Sequence, residues 1–142
     1  MPSKIFVIFY TKMNFTYPKN EKLKSKITID LLFSKGKSVS KYPLRLVYVE
    51  SDYGIPEGSV QKLKMGVSVS KKYFKNAVDR NYFKRVLRET YRLNKYLLID
   101  NLDTPYAFMF FYQTKERLSY EEINTKTIQL FEKFLLQIKK EE

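Results

Sequence analysis

Residues that could do chemistry are concentrated in Lys71 to Lys95, KKYFKNAVDRNYFKRVLRETYRLNK, the most positively charged stretch of the chain. At about 100° per residue on a helix, Arg80, Asn81, Lys84, Arg85, Arg88 and Arg92 fall in a sector of roughly 140°. Phe83, Val86, Leu87, Thr90 and Leu93 centre on the other side. Positions 80, 84, 88 and 92 form an i, i+4 ladder of like charges, each step costing an isolated helix about 0.2–0.5 kcal/mol. Only Asp79 and Glu89 interrupt it with negative charge. Such a face is either a surface for an anion or a heavily charged solvated face. The dominance of Arg, whose planar fork fits phosphate oxygens, points to defined contacts with a nucleic-acid backbone. The turn before it adds Lys71, Lys72 and Lys75 near a helix N-terminus, where exposed N–H groups also favour phosphate; a lysine-rich solvated turn is the plainer alternative. No nucleoside-triphosphate loop pattern accompanies it.

The rest of the composition narrows the chemistry. The chain of 142 residues has 27 Lys+Arg against 15 Asp+Glu, a net charge of +12, with no Cys and no His. That balance favours a nucleic-acid partner, and no segment has the wide apolar face of a membrane-surface helix. Without His or Cys, disulfides, the usual zinc sites and Ser–His or Cys nucleophiles are excluded. Asp100 with Asp103, and Glu121 with Glu122, read as turn and helix-cap acids, not as metal ligands. Phe108, Phe110, Phe111, Phe131 and Phe134 lie on apolar stripes and read as core. Phe33, Tyr42 and Tyr48 lie beside basic residues, where base or ribose stacking is the alternative to packing.

The elements that must position these residues form one α+β domain. Ser25 as N-cap and Gly36 at C′ predict a short helix over about 26–35. Leu44 to Val49 is a strand, preceded by an extended piece near Ser38 to Lys41, with Pro43 at an edge or bend. Residues 51–61 are a loop, and Lys62 to Ser70 alternates as a hairpin partner of the preceding strand. The basic helix follows, with Asn76 as N-cap, Asp79 at N3 and an end between Asn94 and Asn101. Thr104 to Tyr112 is a continuous apolar strand, expected at the sheet centre with both faces covered. Ser119-Tyr120-Glu121-Glu122 is a capping box, with Leu118 stapled on Ile123. It opens a last helix whose stripe is Ile123, Thr127, Leu130, Phe131, Phe134, Leu135 and Ile138. Residues 1–18 are an N-terminal extension, with Met13 as an alternative start that would make 1–12 an annotation artefact; the domain is 19–142. The run Ile5 to Tyr10 is too short for a signal-peptide core or a membrane span, so a cytoplasmic protein is expected.

Lys75-Asn76-Ala77-Val78-x-Arg80-Asn81-x-x-Lys84-Arg85-x-x-Arg88-Glu89 resembles the signature of the protein subunit of bacterial ribonuclease P. The resemblance extends to Gly66-Val67-Ser68-Val69-Ser70-Lys71-Lys72, and to Lys22-Leu23 with Leu32-Phe33-x-x-Gly36. It implies an α-β-β-β-α-β-α sandwich with a mixed four-stranded sheet and a left-handed β-α-β crossover, against the usual hand. It further implies an accessory subunit of an endoribonuclease that removes the 5′ leader of precursor tRNA, catalysis residing in the RNA subunit. Its partners would be ribonuclease P RNA and precursor tRNA, with no DNA, membrane or protein partner expected. Mg²⁺ would be bound mainly by the RNA, with no protein site and no catalytic side chain. The resemblance places RNA contacts on Arg80, Asn81, Lys84, Arg85 and Arg88 and a leader-cleft aromatic at Phe33; the charge reading adds Lys71, Lys72, Lys75 and Arg92 to the RNA face, and Tyr48 and Ile29 are expected in the cleft. Ile29 departs from the family, which often has an aromatic there, and Tyr73-Phe74-Lys75 replaces a shorter, glycine-containing turn. A structural RNA-binding protein without a processing role remains the alternative. An autonomous carboxylate–metal nuclease would need clustered acids that the chain lacks.

Overall fold

The computed structural model describes residues 17, 22–23, 26–50 and 63–141; the expected extension (apart from Tyr17), the Ser25 cap and the 51–61 loop lie outside them. The elements are α1 (Lys26–Lys35), β1 (Lys37–Lys41), β2 (Leu44–Glu50), β3 (Leu63–Val69), α2 (Ala77–Ile99), β4 (Tyr106–Tyr112) and α3 (Tyr120–Glu141). The four strands form one mixed sheet in the order β1-β2-β4-β3. β1, β2 and β4 are antiparallel neighbours, and β3 runs parallel to β4 from Leu63↔Tyr106 to Val69↔Tyr112. The expected pairing of 62–70 with the preceding strand is therefore wrong: β4 lies between them. β4 is apolar on both faces and gains most from a central place, whereas β3, with Lys64, Gly66 and Ser68 on alternate positions, tolerates an edge.

Strand alternation divides the buried residues between two faces. Leu44, Leu46 and Tyr48 of β2, Leu63, Met65 and Val69 of β3, and Tyr106, Phe108, Phe110 and Tyr112 of β4 share one core with α2 and α3. In that core Phe83 is sandwiched between Phe74 at 4.7 Å and Tyr112 at 4.6 Å. Burying so many large rings contributes most of the stabilisation here, roughly 1.5–3 kcal/mol per fully buried side chain. α2 and α3 are also tied by polar pairs: Thr127 donates to Thr90 at 3.1 Å, and Asn94 Nδ2 to Asn124 Oδ1 at 2.8 Å.

Among the described residues, the other face is only partly covered. Leu32 of α1 packs with Val47 and Ala107, bordered by Leu23, Val49, Met109 and Phe111. β4 is thus closed on both sides at Ala107, while Met109 and Phe111 are half-buried, so the expectation of two covered faces holds only at its start. A helix of ten residues spans about 15 Å and cannot roof the sheet. Phe111, expected in the core, stands at the margin of this open face. Gly36 ends α1 by its closeness to its neighbours: a Cβ there would run into the Leu32 carbonyl oxygen and lie 2.8 Å from Val47 Cγ1.

α2 buries Phe83, Val86, Leu87 and Thr90 as expected, but adds Tyr91, Lys95 and Leu98 and leaves Leu93 37% exposed. The buried stripe drifts because Tyr91 turns toward Tyr17, whose ring meets it edge-on at 5.2 Å. Tyr17 also donates its hydroxyl to the Met65 carbonyl, and Leu23 N donates to the same oxygen at 3.0 Å. Tyr17, counted above with the extension, thus packs on the domain. α3 begins as expected: Glu122 N donates to Ser119 Oγ at 3.2 Å, and Leu118 packs on the core that buries Ile123.

Candidate nucleic-acid interface

The basic helix starts from a turn that its own sequence makes rigid. Tyr73 N and Phe74 N both donate to the Ser70 carbonyl, at 3.1 and 3.2 Å, and Phe74 inserts into the core. Lys71, Lys72 and Lys75 are left exposed. Asn76 has the extended backbone of an N-cap, φ −82° and ψ 134°, yet its side chain makes no capping bond. Arg80 serves the turn in its place, Nη1 donating to the carbonyls of Phe74 at 3.0 Å and Lys75 at 2.7 Å. Asp79, expected to complete the cap, pairs with Arg117 at 3.0 Å. Arg80 is thus half-buried and partly structural.

Beyond this turn the cations diverge in exposure. Asn81, Arg85 and Arg88 are exposed, and Lys84 and Arg92 are half-buried. Arg92 is held by Glu89 at 2.8 Å, so the one acid inside the ladder orients a cation as well as easing repulsion. Between this face and the β3 edge runs a groove of about 650 Å³. Arg85, Arg88 and Arg92 line one wall, Lys22 and Tyr17 stand at its rim, and Met65, Gly66 and Met109 contribute apolar surface. Gly66 keeps it open, because a Cβ there would approach Met109 Sδ to 3.2 Å and Leu23 Cβ to 3.3 Å and fill its floor. Met109 borders the open α1 face as well. The basic helix and the open sheet face therefore form one continuous surface around the β3 edge.

Of the residues expected in a cleft under α1, Phe33 and Ile29 lie on α1, while Tyr48 lies on the other face of the sheet. Phe33 is 66% exposed, and Ile29, one turn earlier, is half-buried. Tyr48 is 2% exposed and belongs to the opposite face, edge-on to Phe134 at 4.8 Å. Its hydroxyl donates to Glu141 at 3.1 Å and accepts from Gln137 at 2.5 Å. Burial, offset in part by Gln137, raises its phenol above the ordinary value, so it stays a neutral structural group. The parity of β2 decides this: the residues sharing the α1 side are Arg45, Val47 and Val49. In LRLVYV the apolar run is nearly unbroken, so alternation gave no parity signal. Met109 and Phe111 of β4, paired with Val47 and Arg45, stand on that same side. Tyr42 is exposed at the β1–β2 turn, bonded to Thr114 at 3.1 Å, away from α1.

Among the described residues, no group of three or more His, Cys, Asp or Glu could hold a metal ion. Also among them, no helix is long and apolar enough to cross a membrane.

Comparison with known families puts a name to this architecture. The ribonuclease P family model matches residues 17–135. The chain belongs to the ribonuclease P protein family. Among ribonuclease P protein components, that of Porphyromonas gingivalis strain W83 is 45% identical over 89 residues, a match covering 62% of this chain and 61% of the relative. The match thus spans about three-fifths of that relative's length. The component from Clostridium novyi is 31% identical over 116 residues, covering 81% of this chain and 94% of its own. Two solved ribonuclease P proteins share the fold. The one from Staphylococcus aureus has a TM-score of 0.62 at 19% identity, covering 79% of this chain and 93% of that one. The one from Thermotoga maritima has a TM-score of 0.60 at 22% identity, covering 78% and 94%.

Proposed function

We propose that this chain is the protein component of a ribonuclease P, which binds the catalytic RNA through the exposed face of α2 and supports removal of the 5′ leader from precursor tRNA. The observation that carries the reading is the row Asn81, Arg85 and Arg88, exposed on one face and continuous through the β3-edge groove with the open face beside α1, in a chain of this family. Lys84, Arg92, Arg80 and the turn lysines 71, 72 and 75 flank that row and extend it along a phosphate backbone. Neutralising several phosphates releases condensed counterions and lets two polyanions approach each other. The leader is assigned to the open face, where Phe33, Ile29, Met109 and Phe111 offer apolar surface and Arg45 a cation. No protein side chain is assigned a catalytic role. Mg²⁺ supplies the activation of water and belongs to the RNA in this reading, while the protein's cations lower the repulsion that would oppose its binding. The reaction takes place in the cytoplasm, where precursor tRNA is matured.

The test is reconstitution on a 5′-extended tRNA at low Mg²⁺, with and without the cognate RNA. Cleavage that requires both components and is stimulated by the protein is expected. Cleavage by the protein alone would indicate a nuclease, and absence of stimulation would indicate a structural RNA binder; either overturns the proposal. Arg85→Ala and Arg88→Ala should each weaken RNA binding and reduce its salt slope by roughly one.

A further inference from the structure

α2 carries a feature that its charge does not explain. Val78 is 80% and Tyr82 44% exposed, one turn apart, in the part of the helix that begins the basic row. Single exposed apolar residues are ordinary on protein surfaces. Tyr82 differs in its neighbours and in how it is held. At about 100° per residue, Val78, Tyr82, Arg85 and Glu89 share a strip of roughly 60°, directly beside Asn81 and Arg88. An aromatic ring therefore stands at the border of the cationic row, one turn before the exposed guanidinium of Arg85.

The ring is also anchored. It meets Phe83 edge-on, centroids 5.0 Å apart and planes at 85°, and Phe83 is clamped between Phe74 and Tyr112 in the core. One edge of Tyr82 is thus fixed while much of the ring stays in solvent. Among the described residues its hydroxyl has no hydrogen-bond partner. A side chain already restricted in the free protein loses little conformational freedom on binding. Aromatic rings beside backbone-binding cations stack unpaired bases, a contact largely insensitive to salt because it involves no phosphate.

We infer that Tyr82 stacks on an unpaired nucleobase of the RNA that docks on α2, with Val78 covering the outer edge of that base. The inference rests on the RNA-docking reading above and commits to ribonuclease P RNA as the source of the base. Phosphate contacts by Arg85 and Arg88 set the salt-dependent part of affinity; Tyr82 adds a salt-independent part and favours a site with a base unpaired beside the helix. The precursor's leader, assigned to the opposite side of the β3 edge, is not its ligand.

The experiment compares Tyr82→Ala, Tyr82→Phe and Arg85→Ala for binding to ribonuclease P RNA over a range of salt concentrations. Tyr82→Ala should lose on the order of tenfold in affinity at every salt concentration with an unchanged slope, and Tyr82→Phe should bind as the parent does. Arg85→Ala should instead flatten the slope. Because the chain has no tryptophan, Tyr82→Trp provides a unique fluorophore that a stacked base should quench when the RNA is added. Undiminished affinity in Tyr82→Ala, an unquenched Trp in the complex, or a loss confined to precursor tRNA would overturn the stacking. If Arg85→Ala alone behaves as expected, the stacking fails and the docking stands; if neither variant changes binding, the docking face itself is wrong.

Discussion

Several side chains have roles that differ from those their types suggest. Gly36 would ordinarily be read as a left-handed helix cap; its need is steric, since a methyl would collide with the Leu32 carbonyl and Val47. Gly36→Ala should therefore destabilise the fold by about 1–3 kcal/mol, as overpacking does, seen as a lowered denaturant midpoint at constant slope. Gly66→Ala should cost less, because the Met109 thioether it meets at 3.2 Å can give way; equal costs would contradict the steric account. Tyr106 shows a second kind of role. Burial, reinforced by the Glu50 carboxylate, pushes its phenol up to about 12 from 10.0. The native state holds this proton more tightly than the unfolded chain does, so the contribution is complete below pH 10 and is lost as pH rises to about 12. Thermal midpoints measured between pH 9 and 12 should fall less steeply in Tyr106→Phe than in the parent. An identical fall would show that Tyr106 is not among the groups responsible.

At the scale of elements, the two long helices begin in chemically different ways. α3 has a side-chain cap in Ser119, whereas Asn76 of α2 makes no such bond and Arg80 holds the preceding carbonyls. Ser119→Ala should cost about 1 kcal/mol of stability and Asn76→Ala only a few tenths, by denaturant unfolding. The reverse ranking would contradict this assignment of caps. Element lengths and types were largely legible: the helix over 26–35, the end of α2 and the S-x-x-E start of α3 all follow from periodicity and cap chemistry. The side-chain bonds at the caps were not, because Arg80 competes for the turn through a fold-back of five to six residues that no spacing rule anticipates.

Across the whole molecule, charge and fold pull in opposite directions. A net charge of +12 on 142 residues, with four cations in a ladder along α2, stores repulsion in the free protein. Moderate salt should raise the thermal midpoint by screening, and on the docking proposed above ribonuclease P RNA should raise it further, as any ligand of the folded state does. A midpoint that falls on adding either would argue against a strained cationic face. The reach of the site also follows from the sheet order: the groove at the β3 edge joins α2 to the α1 side because β3 is the last strand.

Helical periodicity, capping and composition are local properties, so the basic face of α2, the α+β order of elements and the lack of His and Cys are all legible along the chain. The tertiary structure decided which strand became central, which side of β2 Tyr48 faces, and which cations remain exposed. Those outcomes depend on pairings between residues far apart in the chain, such as Leu44 with Tyr112 and Asp79 with Arg117. In a strand apolar on both faces, a one-residue change of parity leaves the local pattern unaltered while it moves a side chain from the open cleft into the core.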